Sequence, residues 1–191
     1  MPVFTVIAGP NGSGKSTLTR LVGFEGREHL LDPDEVAGNI NPSNPSAAAI
    51  EAGRQVSMRI REYLLRRTSF AVETTLSGRS IMTHMAEARS SDYKINLAFI
   101  ALDSPEESIV RIRVRAERGG HFIPEIDVRR RYARSLANLP EAIRLADTAG
   151  IYDNSGDEHR VILVAKAGVV VWRTTPLPRW AEFLSILEQN K

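Results

Sequence analysis

Residues 9–17 have the types and the spacing that binding of a polyphosphate requires. They follow the pattern of a glycine, four variable positions and then Gly-Lys-Ser. Gly12 and Gly14 allow the backbone to turn sharply, so that several N–H groups can point inward around phosphate oxygens. Lys15 is a point charge suited to the β- and γ-phosphates, and Ser16 offers a hydroxyl to Mg²⁺. The residues expected to bind ATP are Gly9, Pro10, Asn11, Gly12, Ser13, Gly14, Lys15, Ser16 and Thr17, with Ser16 also the expected Mg²⁺ ligand.

The flanking sequence predicts a strand before this loop and a helix after it. Residues 3–8 are a short apolar run of strand character, and Leu18, Leu21 and Val22 recur at helical spacing. A loop between a buried strand and a helix puts the positive end of the helix dipole at the ligand. This context favours a phosphate site over a chance glycine turn.

An acidic stretch, residues 32–35, follows a second candidate strand at residues 28–31. Pro33 fixes its own φ and disfavours helical geometry at Asp32, so a helix is expected to begin at Pro33. Asp34 is then held near a strand tip, on the edge where ligands bind in an open α/β sheet. Two roles stay open for Asp34. Its carboxylate could complement the helix terminus, or it could be the general base that accepts a proton from an acceptor hydroxyl.

A third strand, at residues 69–73, ends on Glu73. A carboxylate on a buried strand is costly to desolvate unless a partner compensates it, so we expect Glu73 to face the ligand edge. There it could contact Mg²⁺ through water, contact a substrate hydroxyl, or pair with an arginine. Thr74 and Thr75 could cap the next helix or donate to the substrate, and the sequence does not separate these two roles.

Arginines cluster on two helices around a glycine break. One helix starts at the capping box of residues 104–107, and Arg111, Arg115 and Arg118 share a face of it. Residues 119–124 break that helix, and another follows. The arginines of this second helix are Arg129, Arg130, Arg131 and Arg134. Two such helices around a Gly-Gly hinge predict a mobile lid, at about residues 111–147, that closes over nucleotide phosphates.

Composition bounds the class of protein. A length of 191 residues with 42% apolar content suits one domain covering residues 1–191. No apolar run approaches about 18 residues and nothing resembles an export signal, so we expect no membrane contact. The lack of cysteine excludes disulfides and agrees with a cytoplasmic location. The formal net charge is only +2, and the arginine count by itself supports no function. We do not expect nucleic acid as a partner.

The remaining segments complete an α/β pattern. A long helix is expected to end at about Arg67, with a buried stripe along one face. Residues 94–102 are almost entirely apolar, as in a strand covered on both faces. Further expected elements are a turn region at residues 146–156, strands at 160–165 and 168–172 that form an edge hairpin, and a closing amphipathic helix with Trp180, Phe183, Leu184 and Leu187.

Taken in order, these motifs resemble the zeta toxin family of P-loop kinases in its compact form. The matching segments are residues 9–17, residues 32–35 with Asn41-Pro42, residues 73–78, residues 119–124, Arg130-Arg131-Tyr132 and residues 147–155. The phosphate loop alone is common to many enzymes, whereas the ordered set is specific. The resemblance implies an α/β P-loop NTPase three-layer sandwich. Its sheet would be mostly parallel and five- to six-stranded, with helices on both faces and an arginine-bearing helical lid.

The resemblance implies a kinase that moves the γ-phosphate of ATP to a hydroxyl of a small-molecule or sugar-nucleotide acceptor. In zeta toxins that acceptor is UDP-N-acetylglucosamine. By position, Asp34 resembles the family's base and Glu73 its acceptor-side carboxylate. The same comparison makes Thr74, Thr75 and His121 substrate-binding candidates, and Lys15 a catalytic one.

The lid arginines resemble the family's clamp on the γ-phosphate. The triplet Arg129 to Arg131 makes the register ambiguous. We favour Arg118 and Arg131 as catalytic residues and Arg115 as a nucleotide contact.

Other functions remain open at this point. The best-known zeta toxins are longer and carry extra helices, so the acceptor, toxicity and an antitoxin protein as partner are not fixed by the resemblance. Chloramphenicol phosphotransferases resemble the same plan, and a polynucleotide kinase would use the same loop. A regulatory module that binds a nucleotide without transfer is a further alternative. Acidic groups at two strand ends argue against this last one, since nucleotide binding alone does not need them.

Overall fold

The computed structural model describes residues 1–120 and 122–188, which form one seven-stranded sheet with helices on both faces. The strands are β1 Val3–Ala8, β2 Leu30–Leu31, β3 Phe70–Thr74, β4 Lys94–Ala101, β5 Thr148–Asp153, β6 Arg160–Lys166 and β7 Val169–Arg173. The α-helices are α1 Lys15–Leu21, α2 Pro33–Ile40, α3 Ala49–Arg66, α4 Ser80–Ser90, α5 Pro105–Glu117 and α6 Glu125–Leu145. Short 3₁₀ turns cover Arg27–His29, Pro45–Ala48 and Arg179–Glu188.

The strand order is β2-β3-β1-β4-β5-β6-β7, and the first five strands are parallel. Only β6 and β7 run antiparallel, as the predicted edge hairpin. Parallel strands bring their carboxyl ends to one edge. Ala8 is in register with Thr74, and just beyond them the Gly9 N–H donates to the Thr74 carbonyl at 3.1 Å. The phosphate loop, the β3 carboxylate and the loop after β5 therefore meet at this edge.

The core lies between this sheet and the helices that cover it. Phe4 and Phe70 stack with ring centroids 4.4 Å apart, and both side chains are fully buried. On α3, Ala52, Val56 and Ile60 are buried, which confirms the stripe read from the sequence. This packing fixes the strands whose ends carry the candidate functional side chains.

The helix break falls where the glycines predict it. Helix α5 ends at Glu117, Gly119 has φ +87°, and the Gly120 N–H bonds to the Arg115 carbonyl at 3.0 Å. The second half of α6, by contrast, belongs to the main core, where Leu139, Ala142 and Ile143 are fully buried. A segment able to move as a lid is therefore shorter than the expected span of residues 111–147.

Two sequence expectations about elements are wrong. Residues 148–153 were expected to be a turn, yet they form β5, which makes seven strands rather than five or six. The segment has one large aliphatic residue and a glycine, so its strand character depends on pairing with β4 and β6. The closing segment Arg179–Glu188 is 3₁₀ rather than α-helical. Of its four expected apolar contacts, Trp180, Leu184 and Leu187 are buried and Phe183 is exposed.

Within the described residues, none of the helices is both long enough and apolar enough to span a bilayer.

Candidate active site

The phosphate loop is held against the neighbouring strand ends by close backbone contacts. A Cβ at Gly9, where φ is +145°, would lie 2.0 Å from the Ile100 carbonyl oxygen, so only glycine fits. Pro10 supplies a carbonyl that accepts from the Ser13 N–H at 3.3 Å and from the Lys15 Nζ at 3.1 Å. These bonds shape the floor of the loop, where Ser13 is fully buried.

Lys15 lies almost completely buried inside this loop. Burial lowers the pKa of Lys15, while the negative charges of Glu73, Asp34 and Asp32 act in the opposite direction. Burying an ammonium group costs free energy unless negative charges lie nearby, so an anion that enters the loop would stabilise it further. The position of Lys15 therefore fits a polyphosphate ligand.

Ser16 and Glu73 are bonded to each other across the strand ends of β1 and β3. The Ser16 Oγ donates to the Glu73 Oε1 at 2.9 Å, and the Glu73 side chain is buried. The carboxylate thus faces the phosphate loop, as expected from its place on the third strand. A hydroxyl and a carboxylate side by side are the hard oxygen donors that Mg²⁺ prefers.

Asp32 is a site residue that the sequence analysis did not propose. Its Oδ1 accepts from the Asp34 N–H at 2.9 Å, so Asp32 caps α2 and Asp34 occupies the first turn. Burial, the charge of Glu73 and that of Asp34 raise the pKa of Asp32 to about 6. Asp34 itself is exposed, and both carboxylates line the same cavity. The available signal was the pair of acids two residues apart, with a proline between them.

One cavity of about 920 Å³ connects these groups. Its residues fall into the phosphate loop with the β3 carboxylate, a wall from the α2 to α3 region, and a wall from the arginine helices and the β5–β6 loop. The first group includes Asn11, Gly12, Gly14, Lys15, Ser16, Thr17 and Glu73. The second includes Asp32, Pro33, Asp34, Ala37, Gly38, Pro45, Ser46 and Ala49. The third includes Arg111, Arg115, Ile123, Pro124, Asp127, Arg131, Asn154, Asp157, Glu158 and His159. Its size lies at the upper end of the usual range for ligand pockets.

The arginines divide according to the helix face that they occupy. Arg131 lines the cavity, and its Nη1 donates to the Asn11 Oδ1 at 3.4 Å. Its neighbour Arg130 pairs with Asp127 at 2.7 Å, and Arg129 pairs with Glu106. Among the triplet, Arg131 is thus the residue that reaches the phosphate loop.

Arg115 also lines the cavity, together with Arg111, for which the sequence suggested no specific role. The expected catalytic residue Arg118 lies outside it. Arg118 is the C-cap of α5, and it lines an adjoining hollow with Val110 and Val114. Arg111, Arg115 and Gly120 line both the hollow and the cavity.

Thr74 and Thr75 perform local structural roles. The Thr74 Oγ1 accepts from the Leu76 N–H at 3.1 Å, and the Thr75 and Ser77 hydroxyls lie 2.9 Å apart. Neither threonine lines the cavity. These bonds shape the turn before α4 without capping that helix, because its N-cap is Arg79, which makes no side-chain cap hydrogen bond. The remaining substrate candidate, His121, lies outside the described residues.

The β5–β6 loop supplies contacts that sequence reasoning missed. The Asn154 Nδ2 donates to the Ser13 carbonyl at 2.8 Å, and the Arg111 Nη2 donates to the Asn154 carbonyl at 2.8 Å. A Cβ at Gly14 would lie 2.5 Å from the Asn154 Nδ2 and 3.1 Å from the His159 Nε2. This loop therefore packs directly on the phosphate loop from the side of α5.

Across residues 1–120 and 122–188, no group of three or more His, Asp or Glu side chains is arranged to hold a metal ion by itself. Mg²⁺ typically binds through one or two protein groups together with substrate phosphates and water. The Ser16 hydroxyl, with Glu73 and Asp32 nearby, fits that kind of site.

Comparison with known proteins identifies the family of this chain. The sequence profile of the zeta toxin family matches residues 1–162. An uncharacterized protein of Haemophilus influenzae is 39% identical over 124 residues, which cover 65% of this chain and 88% of that protein.

Two solved structures share the fold at low sequence identity. The first comes from work on the PezAT toxin-antitoxin system of Streptococcus pneumoniae, with a TM-score of 0.62 and 16% identity over 99% of this chain and 85% of that one. The second is AvrRxo1-ORF1:-ORF2 with ATP, with a TM-score of 0.63 and 13% identity over 98% of this chain and 64% of that one. From its phosphate loop, its fold and the match over residues 1–162, the chain belongs to the zeta toxin family.

Proposed function

We propose that the protein is an ATP-dependent kinase that transfers the γ-phosphate to a hydroxyl of a small-molecule or sugar-nucleotide acceptor. The observation that carries this proposal is the cavity that joins Lys15 and Ser16 of the phosphate loop to the Asp34 carboxylate. Its volume of about 920 Å³ is large for a ligand pocket, and we infer that a second ligand binds there beside the nucleotide. UDP-N-acetylglucosamine is the leading acceptor, because the chain belongs to the zeta toxin family.

In the proposed mechanism the protein positions the reactants and neutralises charge on the moving group. Lys15 and the inward backbone N–H groups hold the β- and γ-phosphates. Bound Mg²⁺, held by Ser16 with Glu73 nearby, would offset phosphate charge. The Asp34 carboxylate accepts the proton of the acceptor hydroxyl while the oxygen of that hydroxyl forms a bond to the γ-phosphorus. The bond from that phosphorus to the β–γ bridging oxygen then breaks, and ADP leaves.

The arginine helices complete the proposed site from the opposite side. Arg131 is bonded to Asn11 of the phosphate loop, and Arg115 lines the same wall. In the proposal both arginines contact the γ-phosphate of a nucleotide bound in the loop. Closure would involve the region around the Gly119-Gly120 break, since the second half of α6 is fixed in the core.

An antitoxin protein is part of the proposal as a partner. One of the two structural neighbours belongs to a toxin-antitoxin system, and the name of the family points the same way. Co-purification of this chain with the product of a neighbouring reading frame would test the partnership. Growth of cells that express the chain alone would test toxicity.

The activity is tested by incubating the purified chain with γ-labelled ATP, Mg²⁺ and a panel of acceptors. The panel holds UDP-sugars, chloramphenicol and aminoglycosides, and short oligonucleotides. We expect label on one small-molecule or sugar-nucleotide acceptor, with UDP-N-acetylglucosamine first. Label on oligonucleotides alone would assign a polynucleotide kinase instead. ATP binding without transfer to any acceptor would contradict the kinase proposal and leave a nucleotide-binding module.

A matched pair of lysine variants controls the assay. Lys15→Ala should lose ATP binding and transfer together, since Lys15 is buried in the phosphate loop. Lys94→Ala removes an exposed lysine at the amino end of β4, away from the phosphate loop. This variant should bind ATP and transfer phosphate as the wild type does.

A further inference from the structure

The last segment of the described chain is bonded to the loop that packs on the phosphate loop. Trp180 is buried, and its indole Nε1 donates to the Asp153 Oδ1 at 3.1 Å. Its ring packs beside Phe99 of β4, with centroids 6.2 Å apart. Trp180 lies beyond residue 162, where the match to the zeta toxin family ends. The segment that carries it is therefore not covered by what defines the family.

The buried carboxylate of Asp153 accepts hydrogen bonds from residues at both ends of the β5–β6 loop. Its Oδ1 accepts from the Ser155 Oγ at 2.6 Å, and its Oδ2 accepts from Arg160 at 3.1 Å. Burial acts to raise the pKa of Asp153, but the bonds from Ser155, Trp180 and Arg160 outweigh it and hold that pKa below its usual value. An ionised carboxylate with all these hydrogen bonds holds its neighbours rigidly, because removing one donor from a buried charge costs stabilisation free energy.

The residue that follows Asp153 touches the phosphate loop. The Asn154 N–H is fixed by the Ala101 carbonyl at 2.9 Å, and its side-chain amide reaches the Ser13 carbonyl at 2.8 Å. Asn154 is also nearly buried, so it has little freedom to adjust. A shift of Asp153 would therefore move Asn154 and, through it, the backbone around Gly14.

We propose that Trp180 and Asp153 are positioning residues for the nucleotide: they fix the β5–β6 loop, and that loop holds the phosphate loop in its binding shape. Neither residue needs to touch the nucleotide. The inference rests on the proposed function only in requiring that a nucleotide occupies the phosphate loop. It assigns to the segment after residue 162 a role in ATP affinity in addition to its role in the core.

The test compares three conservative changes by titration calorimetry with Mg-ATP. Trp180→Phe keeps the aromatic bulk and removes the indole donor. Tyr93→Phe is the structural control, because it removes a buried hydroxyl that donates at 2.8 Å to the Tyr63 carbonyl near the amino ends of the strands. Trp172→Phe changes the other tryptophan, which is half-exposed on β7. We expect Trp180→Phe to weaken ATP binding about fivefold or more, as loss of a bond to a buried charge would allow. The two controls should stay near the wild-type affinity.

A spectroscopic readout separates positioning from stability. The chain has two tryptophans, so the Trp172→Phe variant leaves Trp180 as the sole indole emitter. We expect Mg-ATP to change its emission, since the ligand and the indole are linked through Asp153 and Asn154. An unchanged emission at saturating ATP would count against the link.

The outcomes are distinguishable from failure of the proposed function. Wild-type protein that binds no ATP would refute the proposed function itself. Wild-type binding with equal affinity in Trp180→Phe would refute only the positioning role, as would equal weakening in Tyr93→Phe. Should Trp180→Phe fail to fold, Ser155→Ala removes a different donor to the same Asp153 oxygen. It should then weaken ATP binding, and wild-type affinity in that variant would overturn the proposal.

Discussion

The Ser16 hydroxyl donates a 2.9 Å hydrogen bond to the buried Glu73 carboxylate, across the ends of two adjacent parallel strands. Ser16 is in the first turn of the helix after the phosphate loop, and Glu73 is next to the last residue of β3. This hydrogen bond ties the position of the phosphate loop to that of the Glu73 carboxylate. A substitution at Glu73 should therefore affect binding in the phosphate loop as well as binding of the acceptor.

Glu73→Gln should raise the Mg²⁺ concentration needed for half-maximal transfer by about 10- to 100-fold, the usual effect of losing a group that orients a metal ligand. The amide keeps the volume but removes the charge. Mg²⁺ titrations of the transfer rate would measure the effect. Glu35→Gln is the matched control, because Glu35 is exposed in the first turn of α2 and does not line the cavity. An unshifted Mg²⁺ dependence in Glu73→Gln would remove Glu73 from the proposed metal site.

Arg131→Ala should lower the turnover number by about 10³-fold or more, within the range measured when an arginine that stabilises a transferring phosphoryl group is lost. Arg130→Ala is a close control, since Arg130 is paired with Asp127 and its side chain is half-exposed. Steady-state transfer rates at saturating ATP would measure both. Equal losses in the two variants would indicate a structural effect on α6 rather than a clamp on the phosphate.

Asp32 should make the stability of the free protein depend on pH. Its pKa is about 6 in the folded protein, against an ordinary value of 3.8, so the folded state holds a proton that the unfolded state has lost between these values. Stability from this group therefore falls as the pH rises through that window, and the full penalty is present above about pH 6. Asn is an equally good N-cap, so Asp32→Asn removes the charge and keeps the cap.

Thermal unfolding without nucleotide at about pH 7.5 and about pH 5, on either side of the folded-state pKa, would measure this effect. We expect Asp32→Asn to melt about 2 to 4 °C above the wild type at the higher pH, the shift that about 1 kcal/mol gives in a chain of this size. The gap should narrow at the lower pH. A gap that is independent of pH would show that Asp32 is already ionised in both states over this range.

The sequence predicts the parts of the site that local backbone chemistry determines. Gly12, Gly14 and Gly119 mark positions where the backbone is left-handed, and Pro33 sets the start of α2. These features lie within a few residues of their cause. For the same reason the apolar strands and the helix break could be placed from the sequence alone.

The β5–β6 loop could not be predicted in the same way. Asn154 and Ser13 are 141 residues apart in the chain, and only the order of the strands brings them together. Similarly, spacing places Arg111, Arg115 and Arg118 on one helix face and does not distinguish among them. Only the folded structure shows that Arg111 and Arg115 line the cavity while Arg118, at the end of α5, does not.

The kinase proposal depends above all on two roles. The phosphate loop holds ATP, and Asp34 is the base that accepts the proton of the acceptor hydroxyl. The decisive experiment measures ATP affinity and transfer rate for Asp34→Asn beside Glu35→Gln, on whichever acceptor the panel identifies. We expect Asp34→Asn to bind ATP as the wild type does and to transfer at least about 10²-fold more slowly, while Glu35→Gln does both normally. Transfer by Asp34→Asn at the wild-type rate would show that Asp34 is not the base.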